Sequence, residues 1–149
     1  MVMVLSVGWS LRSLLHSVDL SSEPTQKVFV QVFDVPPSPS IAAIRVAGYA
    51  AMSGEVWMRL QVNDVDAALL DLKHSKRGLI GPDKDYADSM LPPTPTFQKY
   101  MHTVGWEDVK QVKSPEYYAF PQEFGGKGWR GAIVVDRQRK LLFVEAGLF

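Results

Sequence analysis

Apolar residues recur at helical spacing in three stretches of this chain. In SLRSLLHSV, Leu11, Leu14, Leu15 and Val18 fall on one stripe, with Ser10 as the N-cap. In NDVDAALLDLKHSKRG the stripe is Val65, Ala68, Leu69 and Leu72. Asn63 is placed to cap the first turn. Asp64 and Asp66 sit at the positive end of the helix dipole, Lys73 and His74 at the negative end, and Gly78 is placed to end the segment. In TPTFQKYMHTVGW the stripe is Phe97, Tyr100, Met101 and Val104, opened by Thr94-Pro95 and closed by Gly105.

The remaining apolar runs read as strands. KVFVQVFD (27–34) is short and rich in β-branched and aromatic residues. AAIRVAGYAAM and EVWMRLQV, joined at Ser53-Gly54, predict a hairpin. YYAF (117–120) adds a further strand. GAIVVD and KLLFVEA flank Arg137-Gln138-Arg139 and predict a closing hairpin. These last two strands are apolar almost continuously rather than in alternation. Such strands are covered on both faces, either by helices or by a second subunit.

The expected fold class is therefore α+β. An antiparallel sheet of four to six strands packs with two or three helices, in one domain spanning residues 1–149. Two irregular stretches interrupt it: the proline-rich VPPSPS (35–40), and a long loop over 81–96 of the length that often carries function. The apolar start MVMVLSVGW lacks the basic flank of a secretory signal, and Arg12 ends it. The segment 1–20 is thus read as core or as a subunit interface, with a shallow membrane contact as the alternative, and a cytoplasmic location is expected. Because both closing strands and this segment need cover, a homo-oligomer, most simply a dimer, is expected.

Composition narrows the chemistry. The 149 residues carry 16 basic and 16 acidic side chains, without the basic excess of a dedicated nucleic-acid binder. Positive charge gathers near the C-terminus, where Lys127, Arg130, Arg137, Arg139 and Lys140 face only Asp136 and Glu145. The absence of cysteine removes disulfides, thiolate nucleophiles and cysteine-based metal sites. No apolar run reaches the roughly 18 residues needed to span a bilayer.

GGKGWRGAIVVD contains G-x-G-x-x-G at Gly126, Gly128 and Gly131. A dinucleotide site needs these glycines between a strand and a helix whose N-terminus meets the pyrophosphate. Here they lead into a β-branched run, so the dinucleotide reading fails. Nor is the stretch a P-loop, because no Ser or Thr follows Lys127. Exposed backbone N–H groups, the charges of Lys127 and Arg130 and the ring of Trp129 instead make a candidate binding site for an anionic ligand or an acidic protein surface. The competing reading is a glycine-rich entry to the closing hairpin.

Other chemistries find little support. His16, His74 and His102 lie on three separate predicted helices without metal-ligand spacing. DKDYADS fails the EF-hand pattern, with Ala87, Asp88 and Thr94 at its fifth, sixth and twelfth positions. No G-x-S-x-G elbow is present. No catalytic residue, metal or cofactor is assigned. The pattern points first to a non-enzymatic binding or assembly module acting through a surface or subunit interface. The alternative is a small hydrolase-type enzyme with its site under the 81–96 loop.

Overall fold

The computed structural model describes residues 18–19, 24–50, 54–75, 78–89, 95–120 and 129–148. Its elements run β1 (Val18–Asp19), α1 (Thr25–Phe33), β2 (Ile41–Ala50), β3 (Gly54–Val62), α2 (Val65–Lys73), α3 (Pro95–Val104), β4 (Glu116–Phe120), β5 (Trp129–Asp136) and β6 (Leu141–Leu148). Two 3₁₀ segments, Lys84–Ser89 and Trp106–Gln111, lie before and after α3. The sheet is antiparallel with strand order β1-β2-β3-β6-β5-β4. The expected α+β class is thus observed, with β3 and β6 at the centre of the sheet.

Both faces of the sheet are covered by the chain's own helices. On one face Val28, Phe29, Val32 and Phe33 of α1 and Val65, Ala68, Leu69 and Leu72 of α2 join a core with Met58, Leu60, Ile133 and Val144. On the other, Met101 and Val104 of α3 and Trp106 of the second 3₁₀ segment pack with Trp57, Val134 and Phe143. This two-sided cover explains the continuous apolar runs of β5 and β6. It comes from within the chain, so these strands need no second subunit to bury them.

The segment 27–34, read above as a strand, is a correction: it belongs to α1. Its valines and phenylalanines favour a strand intrinsically, but tertiary packing overrides that preference. Val28, Phe29, Val32 and Phe33 are buried as one helical stripe, while Lys27, Val30 and Gln31 are exposed. Pro24 precedes the first turn, and Asp34 ends the helix in the left-handed region with its N–H bonded to the Val30 carbonyl at 2.7 Å.

Helix α2 follows its predicted stripe, but both of its caps move. Asp64, not Asn63, is the N-cap. It is extended, and its Oδ1 accepts the Ala67 N–H at 3.0 Å. Asn63 is used elsewhere, its N–H bonding the Ser40 carbonyl and its carbonyl accepting from Lys140 Nζ. The helix ends at His74 in right-handed conformation, so Gly78, left-handed at φ 67°, serves the following turn. Leu69→Ala is expected to cost about 2–5 kcal/mol. A urea titration showing less than about 1 kcal/mol would remove α2 from the core.

The hairpin of β2 and β3 also differs in its turn. Gly54 stands opposite Ala50 within the ladder, so the connection falls on residues 51–53, outside the described residues. Of the first predicted helix only Val18 is described, and it pairs with Ala50 as strand rather than helix. The remainder of residues 1–17 lies outside the described residues, as does Thr94. Gly105 ends α3 as expected, left-handed at φ 71°. The described part of the 81–96 loop is structured rather than irregular. The Ile80 N–H and carbonyl pair with Ala119, the Asp83 N–H bonds the Tyr117 carbonyl, and Lys84–Ser89 forms a 3₁₀ turn. The start of the loop therefore covers the outer edge of β4, satisfying backbone groups that an open edge would leave exposed.

Candidate functional site

The positions predicted to bind fall at one end of β5. Trp129 and Arg130 are strand residues, not loop residues, paired with Leu148 and Gly147 of β6. Lys127 lies outside the described residues, and Trp129 and Arg130 are consecutive strand positions, which alternate between the two faces of the sheet, so the structure does not gather the three proposed positions on one face. Gly131, the last glycine of the stretch, stands opposite Ala146 and Phe120. A Cβ there would lie far inside van der Waals contact of the Glu145 carbonyl oxygen and 2.7 Å from the Phe120 ring. This glycine permits close strand packing. The stretch feeds a strand, and no helix N-terminus follows it.

The same end of the sheet contains two carboxylates that the sequence reading missed. Glu55 on β3 and Glu145 on β6 are buried on the face covered by α3, at 8% and 4% exposure. Glu55 stands opposite Gly147, and Glu145 opposite Trp57. The two glutamates are thus diagonal neighbours, about 7–8 Å apart at their Cα atoms by general sheet geometry. Trp57 stacks on Tyr100 of α3, with centroids 6.0 Å apart and planes inclined by 8°. Neither glutamate is without a partner. Arg130 pairs with Gly147, which also faces Glu55, so the register sets the Arg130 position diagonal to Glu145 and two strands away from Glu55. The available sequence signal was position parity: Glu55 shares its strand face with Trp57, and Glu145 shares its own with Phe143.

Three further charge clusters brace elements to one another. At the β5–β6 turn, Asp136 accepts the Arg139 backbone N–H at 3.0 Å and its Nε. The Arg139 guanidinium continues to the Asp108 carbonyl at 2.8 Å, and Asp108 also meets Arg59 at 3.1 Å. The Arg59 guanidinium in turn lies 5.9 Å from the Phe143 ring centroid and close enough to Gly105 that a Cβ there would meet it at 2.8 Å. The second 3₁₀ segment is thereby tied at Asp108 both to β3 and to the β5–β6 turn.

On the opposite face Arg137 joins Glu116 of β4 to Asp66 of α2. Its Nε bonds Glu116 Oε1, and its Nη1 lies 2.9 Å from Asp66 Oδ1. Hydrogen bonds donated to these carboxylates, Glu116 first, hold the guanidinium above its ordinary pKa. Burial, followed by the hydrogen bond to Glu116, raises the Tyr118 phenol, which donates to Glu116 Oε2 at 3.1 Å.

The third cluster is His102 Nδ1 with Glu107 Oε1 at 2.7 Å, across the α3 terminus. The hydrogen bond from His102 is the main reason Glu107 is held below the ordinary carboxylate range. His102 is 84% exposed, so this contact is a surface pair of small energetic weight. His74 is exposed, and His16 lies outside the described residues. Asp83 Oδ1 accepts the Asp85 N–H at 2.9 Å, a local turn bond on an exposed loop. Among the described residues no three His, Asp or Glu side chains converge as metal ligands, and no helix is long and apolar enough to cross a membrane.

Asp136 gives a pH-dependent test of the turn brace. Burial alone pushes its carboxyl up, but the hydrogen bonds from the Arg139 N–H and guanidinium outweigh it and hold the group below its ordinary value. A carboxyl depressed in the folded state contributes stability above its unfolded pKa, about 3.9, and that contribution is lost as pH falls through the folded value. Asp136→Asn is therefore expected to destabilise the protein fully at neutral pH, with the difference from the parent shrinking below about pH 4. Thermal melts of both proteins across that range check it. A pH-independent difference would mean that the ion pair contributes nothing.

No protein-family model matches the chain, and no curated protein or solved structure matches it either, so its function is argued from its own chemistry.

Proposed function

We propose that this chain is a binding or assembly module that recognises an anionic ligand or acidic protein surface through the glycine-rich entry to β5. Lys127 and Arg130 supply charge there, and Trp129 an aromatic face. The observation that supports a binding role is where the titratable groups go. Among the described residues, the ion pairs Arg59–Asp108, Arg137–Glu116 and Arg137–Asp66 each brace one element against another, and Arg139–Asp136 closes the β5–β6 turn. None of these pairs sets a general base beside a nucleophile. With both sheet faces filled by helices, recognition falls to the surface. Self-association, where it occurs, then rests on the apolar segment 1–20 rather than on the closing strands. The hydrolase-type alternative draws on His102 and its carboxylate neighbour, but an imidazole exposed to 84% lacks the enclosed setting that tunes an acid–base pair.

The double change Lys127→Ala with Arg130→Ala tests the proposal. Binding of a polyglutamate peptide is measured between 0.1 and 1 M salt, where the Debye length shortens from roughly 10 Å to about 3 Å. The parent is expected to bind more weakly as salt rises, and the variant to bind weakly throughout while melting near the parent temperature. A folded variant that binds as the parent does would overturn the proposal. So would an unfolded variant, because the stretch would then be serving the fold rather than a ligand.

A further inference from the structure

We draw no further inference here: the strongest candidate, the pair of buried glutamates Glu55 and Glu145 flanking Trp57 on the α3-covered face of the sheet, is an acidic cluster with no second observation in the structure that points to a ligand.

Discussion

Replacing Phe143 with alanine is expected to lower the unfolding free energy by about 3–5 kcal/mol. Phe143 lies on the central strand β6 and is fully buried. Its ring meets Trp106 edge-on, with centroids 5.8 Å apart, while the Arg59 guanidinium lies to one side. Truncation would remove the sheet ring that Trp106 of the second 3₁₀ segment packs against, and a rigid strand cannot close over the space left behind. Arg59 would also lose an aromatic neighbour while keeping its ion pair with Asp108. For a chain of this size the loss corresponds to a fall in Tm of about 6–20 °C. Val30→Ala, at a site 40% exposed on α1, is the control and should change stability by less than about 0.5 kcal/mol. Thermal and urea unfolding of the two variants check the contrast. Equal, small effects would mean that the α3 face of the sheet is not a packed core.

That two-sided core was partly legible in the chain. The continuous apolar runs at 131–136 and 141–146 signalled cover on both faces, and the stripes of α2 and α3 supplied two of the helices. The third was hidden because composition and periodicity disagree in KVFVQVFD. Its residues favour a strand, whereas its apolar positions 28, 29, 32 and 33 fit a helix. Only contact with the sheet decides between them. The caps of α2 were blurred for a related reason. Asn63 and Asp64 are both competent caps, and the choice depends on Ser40 and Lys140 engaging the Asn63 backbone. The proximity of Glu55 to Glu145 was out of reach altogether. Ninety residues separate them in the chain, and only the β3–β6 register makes them neighbours. The same holds for Arg59 and Arg139 meeting at Asp108.

Gly131→Ala is expected to cost about 3 kcal/mol or more, at or beyond the upper end of ordinary overpacking. The reason is close backbone approach, not conformation. Gly131 has no left-handed φ, but a Cβ on it would press into the Glu145 carbonyl and lie 2.9 Å from Ala146 Cα, both on the paired strand. Neither atom can move without distorting the β5–β6 ladder. On the other side Phe120, its direct cross-strand partner, folds its ring over the glycine, where the added methyl would fall 2.7 Å away. Gly78→Ala separates this effect from backbone strain. Gly78 is left-handed at φ 67°, and a methyl added there would have nothing within 4 Å, so alanine should cost only the left-handed penalty of about 1–2 kcal/mol. Urea unfolding should therefore rank Gly131→Ala as clearly the more damaging change. The comparison also bears on why a G-x-G-x-x-G pattern occurs here. If its last glycine existed to let a phosphate approach the backbone, alanine would weaken ligand binding and leave stability nearly intact. Close packing between β4, β5 and β6 demands the reverse, and a Gly131→Ala protein as stable as the Gly78→Ala one would refute it.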